Sequence, residues 1–345
     1  MPVSDNSDSD DDLWFLPGPP EDTAPTDPPW PVELRGPQFD VIEWGRAETV
    51  LGQQLAVAAA SIARLDERLR WGPKGLCERL ALMEVADQLW AQGDWVAPEQ
   101  LALYRSLRLS TVQNARVLSQ ADWALRRLLS FRGPENGLVR FLGRHEADSD
   151  GLAEMGKRPF GKDFERLEKQ WYAFQDQSVH LHFLTRAAVG VFSWRLLGVS
   201  EPGAVLEPMA AVSSATKEAG FFELSFLPVA LGDKYLFGQS GKAEKLLRLW
   251  FLAIDNACKR AMLHLDRLAD WDRGAGHKTS DLSGRTPPIL LEALLQYPLV
   301  SVEMVVNTTS VSKVSAQRNL ALLQERGLVR EVTGQMRYRF WTAAV

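Results

Sequence analysis

The sequence predicts a mainly helical fold, and three observations predict it. Apolar residues recur at helical spacing from about residue 39 to 275. Period-two alternation is almost missing before Leu328. Glycine and proline pairs such as Gly72-Pro73 and Gly133-Pro134 fall between the stripes rather than inside them. The 345 residues, 46% of them hydrophobic and 24% charged, are ample for a buried core.

Residues 1–38 stand apart. The first thirty hold eight acidic residues and no basic one, and nine of the nineteen prolines precede residue 38. Such a stretch buries too little apolar surface to offset its ordering entropy, so it reads as a disordered acidic tail. Trp14, Phe15 and Trp30 would be its docking points for a protein partner. The formal charge of the whole chain is -5, so removing the tail's eight carboxylates leaves -5 + 8 = +3. The opening residues lack a basic region followed by an apolar one and do not read as a signal peptide. The most apolar stretch, Val179 to Leu197, contains two histidines and two arginines, which excludes a membrane span. Two cysteines make no disulfide framework, and a reducing cytoplasm is expected.

Residues 39–275 read as one helical domain. Leu51, Leu55, Ala58, Ile62, Leu65 and Leu69 form one stripe. Further helices are expected over Leu76–Leu89, from Pro98 to Leu107, over Ala115–Phe131, and twice within Asp163–Leu197. The longest runs from about Lys242 to Trp271. Its Leu247, Phe251, Ile254, Cys258, Ala261, Leu265 and Leu268 keep a heptad spacing, which suits either a core helix or the seam of a homodimer. Arg273 to Gly284 is rich in glycine and small polar residues, so a linker is placed at 276–286.

Residues 287–345 carry a different pattern. Pro287-Pro288 opens a helix that Tyr297-Pro298 closes, and Ser301 caps a short second helix through Val305. Asn307, Thr308 and Thr309 are expected in the turn. Ser312 caps a third helix, Lys313 to Arg326, ahead of Gly327. Alternation then begins, broken at Thr333-Gly334 into a hairpin. Helix, helix, turn, helix, hairpin is the order of a winged helix-turn-helix, whose third helix enters the major groove of double-stranded DNA. Ala316, Leu320 and Leu323 face inward on that helix; Lys313, Val314, Gln317 and Arg318 face out. Gln317 and Arg318 suit base edges, and Lys313, Arg337 and Arg339 suit phosphates. In the second hairpin strand, Arg337 and Arg339 alternate with Tyr338 and Phe340, so one pair is expected to be buried and the other exposed.

Three stretches, 298–304, 312–320 and 327–334, resemble the winged helix that closes many Fic-family proteins. From about residue 50 onward the chain more closely resembles a family of rhizobial, often plasmid-borne, helix-turn-helix proteins, through 79–90, 115–125 and 263–268. That resemblance implies a degenerate Fic-like helical domain before a DNA-binding winged helix, with a role in transcriptional or plasmid-related regulation, and it supplies no reaction. A Fic enzyme uses a histidine base followed by Asn-Gly and arginine. Here Pro134-Glu135-Asn136-Gly137 and Arg140 are present, but Ser130 stands where the histidine belongs and Leu138 where an arginine should follow.

No enzyme is expected, and no cofactor or metal. The run Gly238–Lys242 lacks both the first glycine and the final hydroxyl of a phosphate loop, with Leu236 and Ala243 in those places. On a presumed helix, His180 and His182 point roughly 200° apart, while Asp176 and His180 would share a face without a third ligand. The alternatives to a DNA-binding regulator are a protein-interaction adaptor built on a winged helix that does not bind DNA, and a diverged Fic-like nucleotidyltransferase.

Overall fold

The computed structural model describes residues 39–107, 114–143, 158–334 and 338–345. The expected acidic tail and its docking aromatics lie outside them. Phe39–Val345 forms one compact unit.

Helices α1 (Val41–Val50) and α2 (Gly52–Arg70) are nearly continuous. They are followed by α3 (Leu76–Gln92), α4 (Pro98–Leu107), α5 (Ala115–Leu128) and the short α6 (Leu138–Leu142). Next come α7 (Gly161–Gln177), α8 (Phe183–Leu197) and two short helices, α9 (Leu206–Ala211) and α10 (Ala215–Glu218). The body ends in α11 (Ala243–Lys278), which packs along α2 and α1. The module that follows is built from α12 (Thr286–Gln296), β1 (Val300–Ser301), α13 (Val302–Thr308), α14 (Lys313–Glu325), β2 (Val329–Glu331) and β3 (Phe340–Ala343). The mainly α fold with a C-terminal winged helix is therefore observed.

The heptad residues of α11, Leu247 through Leu268, are all buried within the chain's own core. The heptad spacing therefore serves the core-helix alternative, and nothing in it supports the homodimer expected through 242–271. A stripe consumed by α2 has no surface left for a second copy. The helix also runs past Trp271, through Gly274 and Gly276, into the expected linker. Its end is useful to the module: Trp271 and Ala275 belong to the module's apolar cluster, while Leu299 and Phe340 of the module join the body's cluster. The remaining linker is held as well, because Arg326 makes a bidentate ion pair with Asp281 at 2.5 and 2.8 Å.

The helix-after-helix expectation fails between α8 and α11, where most of the chain is irregular. Two carboxylates hold it. Asp66 on α2 accepts from the N–H groups of Phe222, Glu223 and Leu224 at 2.8–3.1 Å. Glu84 on α3, wholly buried, accepts from Val229, Ala230 and Leu231 at 2.9–3.1 Å and from Gln88 at 2.9 Å. An irregular segment can enter a core only if its backbone donors find acceptors, and these two side chains supply them. Burial pushes the Glu84 carboxyl above its usual range, while its hydrogen bonds pull the other way. All four partners are donors, which is the arrangement an ionised carboxylate requires. At the turn closed by these bonds, a Cβ on Gly232 would lie 1.8 Å from the Ala253 carbonyl, so only glycine fits against α11.

Glu84→Ala strands three buried N–H groups and should lower unfolding stability by about 3 kcal/mol or more. Glu84→Gln keeps one acceptor oxygen and should cost less. Urea unfolding of the three proteins checks the order; equal stability of Glu84→Ala and the parent would refute it.

Candidate nucleic-acid interface

The module is assembled by caps. Ser301 accepts from the Met304 N–H at 3.1 Å and starts α13. That helix runs to Thr308, so Asn307 and Thr308 belong to it rather than to the expected turn, which spans 309–312. Thr309 Oγ1 accepts from Val311 within the turn, and Ser312 accepts from Ser315 to start α14. Gly327, at φ +67°, follows the last turn of α14 in the left-handed conformation that frees the chain to enter β2. The sheet has the order β1-β3-β2, all antiparallel, with Val300 opposite Trp341 and Arg330 opposite Thr342. Strand β1, two residues long, is too short to leave an alternation in the sequence.

On α14, Ala316, Asn319, Leu320 and Leu323 are buried. Lys313, Val314, Gln317 and Arg318 are exposed together on the opposite side, Val314 at 77%. The structure thus brings together the four residues expected on the outward face. Gln324 and Trp341 tie the helix to the sheet, the Trp341 Nε1 donating to Gln324 Oε1 at 3.0 Å. A groove of about 350 Å3 separates the start of α14 from the hairpin. Lys313, Gln317, Arg339 and Trp341 line it, with Leu107 from the end of α4.

The cations of the module divide into two groups. Arg326 pairs with Asp281, Arg330 with Glu99 on α4 at 3.0 Å, and Arg339 with Glu331 across the hairpin. Among the described residues Lys313 and Arg318 make no ion pair. Arg337 lies outside the described residues. The expected alternation in the hairpin is corrected at its tip: Phe340 is buried, but Tyr338 is 60% exposed and sits at φ +56°. A residue in that conformation leaves the pleat, so Tyr338 and Phe340 do not share a face. Arg339 is half-buried, its guanidinium 4.9 Å from the Trp341 ring centroid.

Residues 287–343 match the family model of an HTH DNA-binding domain. The HTH domain therefore accounts for the C-terminal module, including both the outward face of α14 and the hairpin. No curated protein matches the chain.

Elsewhere the motifs weighed and set aside in the sequence take other roles. His180 and His182 are not on a helix but in the loop between α7 and α8, where His182 Nδ1 accepts from Leu184 N–H and starts α8. Asp176, still on α7, therefore has no shared helix face with His180. Among the described residues no three His, Cys, Asp or Glu are grouped to hold a metal ion. No helix of the described residues is long and apolar enough to cross a membrane. Both cysteines are free, and burial pushes the Cys258 thiol up to about 12, which leaves it unreactive. Gly238–Lys242 is the approach to α11, with Lys242 at its N-cap position.

The Arg339 hydrogen bond holds the Glu331 carboxyl below its usual value of 4.5. A carboxylate with a depressed folded pKa stabilises above its unfolded pKa and loses that contribution as pH falls through the folded value. Acidification below about pH 4.5 should therefore loosen the hairpin and change the emission of Trp341. Glu331→Gln should flatten that step in a fluorescence titration, and an identical step in the variant would overturn the assignment.

Proposed function

We propose that the protein is a sequence-specific reader of double-stranded DNA, acting as a transcriptional or plasmid-related regulator in a reducing cytoplasm, and that it is not an enzyme. The observation that carries this reading is the charge division. Arg326, Arg330 and Arg339 of the HTH domain are paired with Asp281, Glu99 and Glu331, whereas among the described residues Lys313 and Arg318, flanking Gln317 on the exposed side of α14, make no ion pair. These two cations add nothing to the chain's own packing, and with Gln317 and Val314 they are the residue types that meet nucleic acid. A surface that meets phosphates and base edges requires both kinds of residue.

In this reading Gln317 and Arg318 contact bases and Val314 offers an apolar contact to a thymine methyl. Lys313 contacts a phosphate, and Arg337 and Arg339 follow the backbone from the hairpin. Arg339 has Glu331 as a competitor, so its share is smaller than that of Lys313.

The nucleotidyltransferase alternative has an obstacle in its own loop. The Leu138 N–H, at the start of α6, donates to Glu168 Oε1 at 2.6 Å. A carboxylate already sits where a phosphate would need that donor. Incubation with labelled nucleoside triphosphates should therefore leave the protein and cell-extract proteins unlabelled.

Fluorescence anisotropy with pooled genomic fragments, at two salt concentrations, tests the main reading. Arg318→Ala should cost about 1–3 kcal/mol on the preferred fragment and relax selectivity at one base position. Lys313→Ala should weaken binding to all fragments and reduce the salt slope by about 0.9. Absence of binding at low salt would overturn the reading and make the module a protein-interaction adaptor.

A further inference from the structure

The seam between body and HTH domain encloses a cleft of about 210 Å3. Its walls come from both sides: Arg79 and Met83 on α3, Glu99 on α4 and His264 on α11, against Leu299 and Arg330 of the HTH domain. Arg79 is 7% exposed. Its Nε and Nη2 donate to the carbonyls of Leu294, Leu295 and Tyr297. Among the described residues its Nη1 and the His264 ring make no hydrogen bond, although both residues line the cleft. The free edge of the guanidinium and the imidazole are both open to solvent in the cleft, where a ligand takes the place of water as their partner.

We propose that this cleft binds a small oxyanion, a carboxylate or phosphate group, between Arg79 Nη1 and the His264 ring. The volume limits the ligand, since pockets for drug-sized molecules and nucleotides run from about 300 to 1,000 Å3. The charge favours an anion. Arg79 and Arg330 line the cleft with Glu99 as the one acidic side chain among the lining residues, and Arg260 and Arg267 stand near enough to act on His264. Burial, with Arg79, Arg267 and Arg260 adding to it, pushes His264 down to about 4. The ring is therefore neutral at pH 7, and it donates one N–H to the anion without needing a second charge. Arg330 and Glu99, both lining residues, are joined by a 3.0 Å pair, so a bridge between the two modules forms part of the wall. Both donors belong to the body, while Leu299 and Arg330 of the HTH domain line the same cleft, so binding stabilises the folded arrangement that forms it. The proposal is independent of DNA recognition, which uses the outward face of α14.

Calorimetry on the full chain with inorganic phosphate and, separately, with succinate tests it, against sodium chloride at matched ionic strength. Saturable heat with either anion is expected, together with a rise in Tm that chloride does not produce. The anion that binds decides between phosphate and carboxylate as the group recognised. His264→Gln, which touches no hydrogen bond of the fold, should weaken binding about fivefold, the loss expected for one hydrogen bond. The ring signals of His264, assigned by their loss in that variant, should shift with the same midpoint as the heat. Binding indistinguishable from chloride for both anions, or unchanged affinity in His264→Gln, overturns the proposal. Neither result bears on DNA binding by Lys313 and Arg318, which the anisotropy measurement decides by itself.

Discussion

The position of the HTH domain depends on one buried cation. Arg79 projects from the body into the last turn of α12, where the carbonyls of Leu294, Leu295 and Tyr297 have no partner within the helix. The negative end of the helix dipole and three acceptors meet a planar, charged donor there. Burial lowers the guanidinium to about 10, so it stays charged at neutral pH. The backbone was cleared for this contact. Gly75, at φ +89°, lies so close to Gln296 that a Cβ would stand 1.8 Å from its carbonyl oxygen. An arginine replaced by lysine would keep the charge but lose the fork that reaches successive carbonyls.

The same device recurs inside the body with the sign reversed. Asp66 and Glu84 gather N–H groups of the irregular 222–231 segment as Arg79 gathers carbonyls of α12. In all three cases a charged side chain on a regular helix satisfies backbone groups that secondary structure leaves over. Desolvating such charges is expensive, and the compensation comes from the number of bonds each makes. This explains how so long an irregular stretch enters the core: six of its backbone N–H groups find carboxylate acceptors. The seam with the HTH domain uses the same device beside apolar contacts: Arg79 reaches three carbonyls, Trp271 and Ala275 join the module's apolar cluster, and Trp271 Nε1 donates to the Leu328 carbonyl at 2.7 Å.

Those three residues were the least legible in the sequence. Helical stripes are visible because apolar side chains mark the buried face, so α2 and α11 can be placed from spacing, while α4 is marked by the proline that opens it. Caps are visible because they depend on one residue at one place, as at Ser301 and Ser312. Asp66, Arg79 and Glu84 have no such signature. On paper each is a charged position on an amphipathic helix, indistinguishable from the solvated face until the partner segment is known. The heptad of α11 had the opposite fault: its signal was clear but equally compatible with an internal or an external partner, and only α2 decides between them. The outward residues of α14 were legible because the helical period and the inward leucines fix both faces together.

Fixing the HTH domain matters for what its exposed face can do. Base-edge hydrogen bonds discriminate only when the side chains arrive in register, and a loosely tethered module would lose orientational freedom on every encounter. Arg79, Arg326 and Arg330 hold α12, the end of α14 and β2 to the body, so the body moves with the recognition helix as one piece. The three arginines that do this are also removed from the pool of phosphate contacts. In the reading proposed above, the domain thus gives up long-range attraction for a set orientation and keeps Lys313 and Arg318 for the DNA. Such a division suits a protein whose selectivity rests on a few directed contacts rather than on a broad basic surface.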